Sequence, residues 1–256
     1  MGMFDGKQGV VFGIANKYSI AWAITKRLLD EGARIVAGVL SEREGRKLEA
    51  LLEPGRQLSA RCCDLTSDAQ IAEFFAAAGA ELGGTLHFLV HSVAFARGED
   101  LQGDFVNTSR DGYLLAQNIS AYTLLGVARA AAPLMTAGGS IITLTYIGGE
   151  RVVPNYNVMG VAKAALEANV RYLAWNLGPR NIRVNAISAG PVKTLSARGV
   201  KGFDTMHKQI SERAPLGRSA SPEELASTAA FLLSDASSAI TGEVLHVDGG
   251  YHIMGV

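Results

Sequence analysis

Residues 9–21 read Gly9-Val10-Val11-Phe12-Gly13-Ile14-Ala15-Asn16-Lys17-Tyr18-Ser19-Ile20-Ala21, and this passage decides the architecture. A short apolar run passes through a polar turn into the start of an amphipathic stretch, the strand, loop and helix order that a phosphate cradle requires. The Gly-x-Gly-x-x-Gly pattern itself is absent. Gly13 can make the tight turn, Ser19 can add a hydroxyl donor, and the small Ala21 permits close helix packing. Backbone N–H groups at the helix start would face a pyrophosphate. The competing reading is an ordinary turn between a strand and a helix.

The same alternation continues along the chain. Short apolar runs at 9–12, 34–39, 57–62, 86–91, 139–145, 183–188 and 243–247 read as strands. Amphipathic stretches at 20–31, 42–52, 68–82, 112–135, 155–177 and 222–233 read as helices, with Ser67, Ser109 and Ser221 as N-caps and Pro222 at a first helical position. Strands alternating with helices make βαβ units. The expected fold is α/β: a single Rossmann-like doubly wound domain over residues 1–256, with a seven-stranded parallel sheet flanked by helices on both faces. Residues 191–214 lack a clear period and contain Gly199 and Gly202, so they are expected to form a mobile substrate-binding segment within it.

Composition narrows the function classes. A chain of 256 residues, 48% hydrophobic, can bury a substantial core. Its 24 basic and 24 acidic residues cancel, so there is no electrostatic footprint for nucleic acid or an anionic membrane. Cys62 and Cys63 are adjacent and read as reduced thiols, because neighbouring strand residues point to opposite faces. The amino terminus lacks a signal-peptide apolar core, and no apolar run approaches the roughly 20 residues that span a bilayer. A soluble, cytoplasmic protein is expected. The five histidines show no ligand spacing on one helix or loop, so no metal site is expected.

Tyr156 and Lys163 stand seven residues apart within a helical stretch. Seven steps of about 100° bring a phenol and an ammonium to nearly the same face, two turns apart. A close cation lowers a phenol's pKa, and either a neutral or an ionised Tyr156 is compatible with this spacing. Asp64, after the third strand, can accept a hydrogen bond from an adenine amino group or simply cap a turn. After the second strand, Leu40 is neutral, Glu42 can start a helix, and Arg43 either meets a 2′-phosphate or is solvated. No acidic residue marks the ribose 2′-hydroxyl, and NADH is the expected coenzyme with NADPH the alternative.

With these elements in view, the chain resembles the short-chain dehydrogenase/reductase superfamily, and within it the bacterial NADH-dependent enoyl-acyl-carrier-protein reductases. The likeness runs from Gly6 to Gly255. It is carried by Gly13-x5-Ser19-Ile20-Ala21, by His91-Ser92-Val93-Ala94-Phe95-Ala96, by Thr145-Tyr146, by Tyr156-x6-Lys163, by Ser188-Ala189-Gly190-Pro191-Val192-Lys193-Thr194, and by Thr241-Gly242-Glu243 with Asp248-Gly249-Gly250-Tyr251. Most superfamily members place a tyrosine four residues before the lysine and a serine thirteen before that tyrosine, positions held here by Met159 and Tyr146. The enoyl reductase branch instead puts tyrosines where Tyr146 and Tyr156 stand.

The resemblance implies hydride transfer to the β-carbon of a trans-2-enoyl thioester in fatty-acid synthesis. Tyr156 would donate to the enolate oxygen, Lys163 would hold the nicotinamide ribose, and Tyr146 would lie near the thioester. The implied cofactor set is Gly13, Ser19, Ile20, Leu40, Asp64, Leu65, Ser92, Val93, Lys163, Pro191, Val192, Lys193, Thr194, Leu195 and Ser196. The implied acyl slot is Phe95, Ala96, Met159, Val200, Phe203 and Met206. Acyl carrier protein is the implied partner, with Lys193, Arg198, Lys201 and Lys208 giving the 191–214 segment a positive bias. A homotetramer is implied, built on alanine-rich helix faces (Ala128, Ala130, Ala131, Ala132, Ala164, Ala165 and Ala168) and the last strand; a dimer is also open. Two rivals stand beside this reading: a reductase of ketones or unusual enoyl thioesters, and a catalytically silent nicotinamide-sensing regulator.

Overall fold

The computed structural model describes residues 2–53, 55–192 and 203–255; the side chains of residues 203, 204, 206 and 209 lie outside that description. Seven strands form one parallel sheet: β1 (Gln8–Phe12), β2 (Arg34–Val39), β3 (Leu58–Cys62), β4 (Phe88–His91), β5 (Gly139–Thr145), β6 (Ile182–Ala189) and β7 (Val244–Val247). Their order is β3-β2-β1-β4-β5-β6-β7. The central strands are continuous apolar runs because both of their faces are covered; Val10, Val11, Leu89, Val90, Ile141 and Ile142 are all fully buried. The edge strands β3 and β7 are more exposed.

Helices cover both faces. One layer holds α3 (Asp68–Glu81), α6 (Thr123–Ala131) and α7 (Asn157–Leu177), which bury Phe74, Leu124, Val127, Leu166 and Val170 against the sheet. The other holds α1 (Ile20–Asp30) and α9 (Pro222–Leu233), which bury Ile24, Leu28, Leu225 and Ala229. Between them in chain order lie α2 (Glu42–Glu49), α4 (Gly98–Leu101), α5 (Arg110–Gln117) and α8 (Phe203–Arg213). Ser67, Ser109 and Ser221 each accept a first-turn N–H as N-caps, and Pro222 occupies the first turn of α9. No described helix is long and apolar enough to cross a membrane.

Two expectations need correction. The stretch 112–135 is not one regular helix: α5 and α6 are joined by a π-helical turn, Asn118–Tyr122. Side chains at this turn are engaged with the segment that leaves β4. The Ser120 hydroxyl accepts from Phe95 N–H at 2.9 Å and donates to Phe95 C=O at 3.1 Å, and Thr123 Oγ1 lies 2.9 Å from His91 Nε2. A widened turn beside a ligand crevice is a common functional adaptation. The stretch 191–214 is also not irregular throughout, since α8 occupies Phe203–Arg213; residues 193–202 lie outside the described residues.

The alanine faces divide as well. Ala128, Ala131 and Ala132 are buried in the chain's own core, and Ala130 and Ala165 pack against it. Small side chains here let α6 and α7 lie close to the sheet. Cys62 is exposed, Cys63 is buried, and neither is bonded to another cysteine.

Candidate active site

Strand order reverses between β1 and β4, and in open α/β sheets ligands lie outside the carboxyl ends of the strands at such a point. Gly13 leaves β1 there with φ 95°. A Cβ at this position would stand 2.0 Å from the Ser92 carbonyl oxygen, so only glycine lets the β1 exit run against the β4 exit. Ser19 then caps α1, accepting from Trp22 N–H at 3.2 Å and donating its hydrogen to Asn16 C=O at 2.8 Å. The Ser19 hydroxyl is therefore committed to the turn. Anion-binding capacity falls instead to the first-turn amides of Ile20 and Ala21, which a helix leaves without intrahelical partners. A glycine cradle feeding a capped helix at the switch point fits a dinucleotide pyrophosphate.

At the adenosine end, Leu40 is 70% exposed just past β2, and its N–H is held by the Glu44 carboxylate at 3.0 Å. Asp64 caps its own turn: Oδ1 accepts from Thr66 N–H at 2.9 Å and from the Thr66 hydroxyl at 2.8 Å. Leu65 sends its side chain into the core, and Val93 packs against that core. Ser92 N–H donates to Phe12 C=O at 3.2 Å, keeping the two exits in step. Pro191 is buried and Val192 partly so. Lys193, Thr194, Leu195 and Ser196 lie outside the described residues, as do Arg198, Val200 and Lys201; the side chains of Phe203 and Met206 do too.

The tyrosines come together. Tyr146 follows β5, Tyr156 precedes α7, and their rings meet edge to face with centroids 5.1 Å apart and planes at 71°. Gly148 makes this possible, because a Cβ on it would fall 2.5 Å from Tyr156 Cδ1 and 3.2 Å from Tyr146 Cδ1. Tyr156 is flanked by Asn155 and Asn157, both at positive φ (61° and 26°). Such backbone is sparsely populated outside glycine and gathers at functional sites.

Charge is tuned by burial. Tyr146 is pushed up to about 12, by burial first and then by Tyr251 and Asp248. Tyr156 is raised well above the ordinary phenol value, by burial first and then by Tyr146 and Glu167. The lowering expected from a cation is not found: burial and the neighbouring Tyr146 and Glu167 all raise the phenol. Both phenols stay protonated near neutral pH, so each keeps a hydrogen that it can donate. Lys163 is 6% exposed, and its Nζ donates to Leu144 C=O at 2.7 Å, leaving two further ammonium hydrogens. Burial lowers it to about 8, opposed by Glu167. His91 is held neutral by burial, down at about 3, with its ring nitrogens 2.9 Å from Thr143 Oγ1 and Thr123 Oγ1.

Beside the phenols lies an apolar cluster of Leu101, Ala116, Val158, Met159 and Ala162, with Ala96 and Tyr156 packed on it. This brings Ala96 and Met159, two residues of the implied acyl slot, into one cluster with Tyr156. Phe95 is half exposed. A separate cavity of about 600 Å³ lies at the sheet edge among α2, β3 and α3, lined by Gly45, Cys62 and Phe74, away from the tyrosines. Sequence reading missed Gly148, Ser120 and Glu167, and named Thr145 only as the neighbour of Tyr146. The Gly148-Gly149 pair between two tyrosines was the available signal for the first; the others carry no local mark.

The reversed strand order and the glycine cradle at its switch point define a dinucleotide-binding oxidoreductase of the short-chain dehydrogenase/reductase class. Residues 13–252 match the family described as enoyl-(acyl carrier protein) reductase, and the chain belongs to that family. It is 54% identical over 258 residues to the enoyl-acyl-carrier-protein reductase (NADH) of Bacillus cereus, covering 100% of both chains. It is also 54% identical over 250 residues to the NADPH enzyme of Staphylococcus aureus, covering 97% of each. Among solved structures, the Bacillus cereus reductase with NADP+ and indole naphthyridinone superposes with a TM-score of 0.96 at 52% identity over all of both chains. The Anaplasma phagocytophilum enzyme with NAD gives 0.95 at 43% identity, covering 100% of this chain and 97% of that one.

Proposed function

We infer that this chain is an enoyl-acyl-carrier-protein reductase of fatty-acid synthesis, reducing a trans-2-enoyl thioester with NADH, or with NADPH as the alternative, to the saturated acyl thioester. The observation that carries this reading is the edge-to-face Tyr146–Tyr156 pair, with the buried Lys163 following along α7, in place of the serine and tyrosine of carbonyl reductases.

A bound dihydronicotinamide supplies the hydride, delivered to the substrate β-carbon. The Gly13 turn and the first-turn amides of α1 would hold the pyrophosphate, Asp64 and Leu40 would border the adenosine, and Lys163 would use its remaining hydrogens on the nicotinamide ribose. Negative charge moves to the thioester oxygen as the substrate becomes an enolate, which then takes a proton at the α-carbon to give the saturated thioester. Tyr156, neutral and partly buried, donates a hydrogen bond to that oxygen in a site where fixed donors need no reorganisation. Tyr146 braces Tyr156 and faces the thioester. Ala96 and Met159 shape the acyl slot together with Phe95; Val200, Phe203 and Met206, the other residues assigned to it, lie outside the described residues or side chains.

Acyl carrier protein presents the thioester. The chain functions as one domain and as a homotetramer in the cytoplasm; Tyr172 and Trp175, 75% and 78% exposed on α7, supply apolar area for subunit contact. The deciding experiment follows NADH and NADPH absorbance with enoyl thioesters of several lengths and with ketones. Enoyl reduction with NADH is the expected result, and preferential ketone reduction, or no turnover with cofactor bound, overturns the reading.

A further inference from the structure

We propose that Glu167 is a positioning residue for Lys163 and the tyrosine pair: it ties α7 to the end of β5 and supplies the counter-charge to the Lys163 ammonium. The proposal rests on the enoyl reductase reading and concerns how that site is held.

Lys163 and Glu167 are neighbours one turn apart on α7, and each is 6% exposed. Both reach across to consecutive residues of β5. Lys163 Nζ donates to Leu144 C=O at 2.7 Å, and Glu167 Oε1 accepts from the Thr145 hydroxyl at 2.6 Å. The next residue is Tyr146. Two side-chain rungs thus pin the strand end immediately before the first phenol, and α7 begins immediately after the second. The turn after β5 closes over the carboxylate, since a Cβ on Gly149 would lie 2.7 Å from Glu167 Oε1.

The surrounding charges define what Glu167 does. Lys163 is faced by Glu167 from its own helix and by neutral His91 from β4. Glu167 is faced by Thr145 from β5, Glu150 from the following turn, Arg171 from α7 and His246 from β7; Tyr156 is also within its field. His246 Nε2 is itself 2.9 Å from Glu150 Oε1. Burial raises the Glu167 carboxyl, and the Thr145 hydroxyl pulls it back. Lys163 already stands at only about 8, with Glu167 as the opposing influence that keeps it that high. Without this charge the lysine would lose its proton at a lower pH, along with its positive potential and one hydrogen for the ribose.

The test measures kcat and KM for NADH from about pH 6 to about pH 9 on the full chain, together with NADH binding without substrate, for wild type, Glu167→Gln and Thr145→Val. Glu167→Gln keeps the size and an acceptor for Thr145 but removes the charge. Its alkaline loss of NADH affinity is expected to begin about one pH unit or more lower, with affinity near wild type at the acid end. Thr145→Val keeps the charge and removes the rung, so its alkaline limb stays in place while kcat falls. A Glu167→Gln profile superimposable on wild type, or lowered equally at every pH, overturns the charge role; a Thr145→Val enzyme with wild-type kcat overturns the tie. The binding titration reads the Glu167 effect without turnover, so an enzyme that binds NADH yet reduces no enoyl thioester sinks the functional reading alone.

Discussion

The ring of Tyr146 meets the ring of Tyr156 edge to face, with centroids 5.1 Å apart. Edge-to-face pairs are worth about 0.5–1.5 kcal/mol beyond their buried area, so each phenol helps fix the other. The contact also removes both from water, which is the first cause of their raised pKa values. Neutral phenols, held in place, are donors that need no rearrangement when charge develops on a thioester oxygen.

Tyr156→Phe removes one such donor and leaves the ring contact. Turnover should fall by about 100- to 1,000-fold, the range for one oxyanion-hole donor, while NADH affinity stays at the wild-type value. Steady-state kinetics with crotonyl and longer enoyl thioesters checks this. A variant with wild-type kcat would remove Tyr156 from the chemistry.

Gly148→Ala tests the same geometry through the backbone. The added methyl group would stand 2.5 Å from Tyr156 Cδ1, far inside van der Waals contact, so the ring has to swing away. The expected enzyme folds and binds NADH but turns over at least about 10-fold more slowly, since misplacement by about 1 Å costs up to 100-fold. Circular dichroism establishes the fold, and equal kcat in variant and wild type would show that Tyr156 tolerates the displacement.

Much of this was legible in the residues, and the limits have physical causes. The strand at Arg34–Val39 and the helix at Pro222–Leu233 stand where the pattern put them, because a run of buried apolar residues and a Ser-Pro cap are local signals. The interruption of 112–135 was not legible, because Ser120 and Thr123 engage residues of β4 and of the segment that leaves it. The spacing of Tyr156 and Lys163 was legible, yet the direction in which the Tyr156 pKa moves was not, since desolvation depends on what packs around the phenol. Glu167 gave no signal, because a glutamate on a helix is ordinarily solvated and only the fold buries it against Thr145.

The start of α9 gives a stability test remote from the site. Ser221 Oγ accepts Glu224 N–H at 3.2 Å while Glu224 Oε2 accepts Ser221 N–H at 2.8 Å, a reciprocal capping box. Ser221→Ala should cost about 1 kcal/mol and lower Tm by about 2–4 °C, with kinetic constants unchanged. Thermal melts and steady-state assays on the same preparation decide it.

Lys163 carries opposing demands on function and stability, and pH separates them. Its pKa in the fold is about 8, against an unperturbed 10.5. Between these values the unfolded chain holds a proton that the fold has released, so this group makes the apoprotein more stable as pH rises, and below pH 8 its buried charge is a cost. Lys163→Met removes the charge and keeps the bulk. Relative to wild type, the variant should be stabilised more at pH 7 than at pH 10, by roughly 2 kcal/mol, because each tenfold change in a protonation equilibrium corresponds to about 1.4 kcal/mol. It should also lose NADH affinity by at least about 10-fold, since charge-assisted hydrogen bonds to the ribose disappear. Denaturant titrations at the two pH values, paired with NADH binding, measure both effects. A stability difference that does not change with pH would mean that Lys163 sits in the fold without the desolvation cost assigned to it, and its depressed pKa would then have no source.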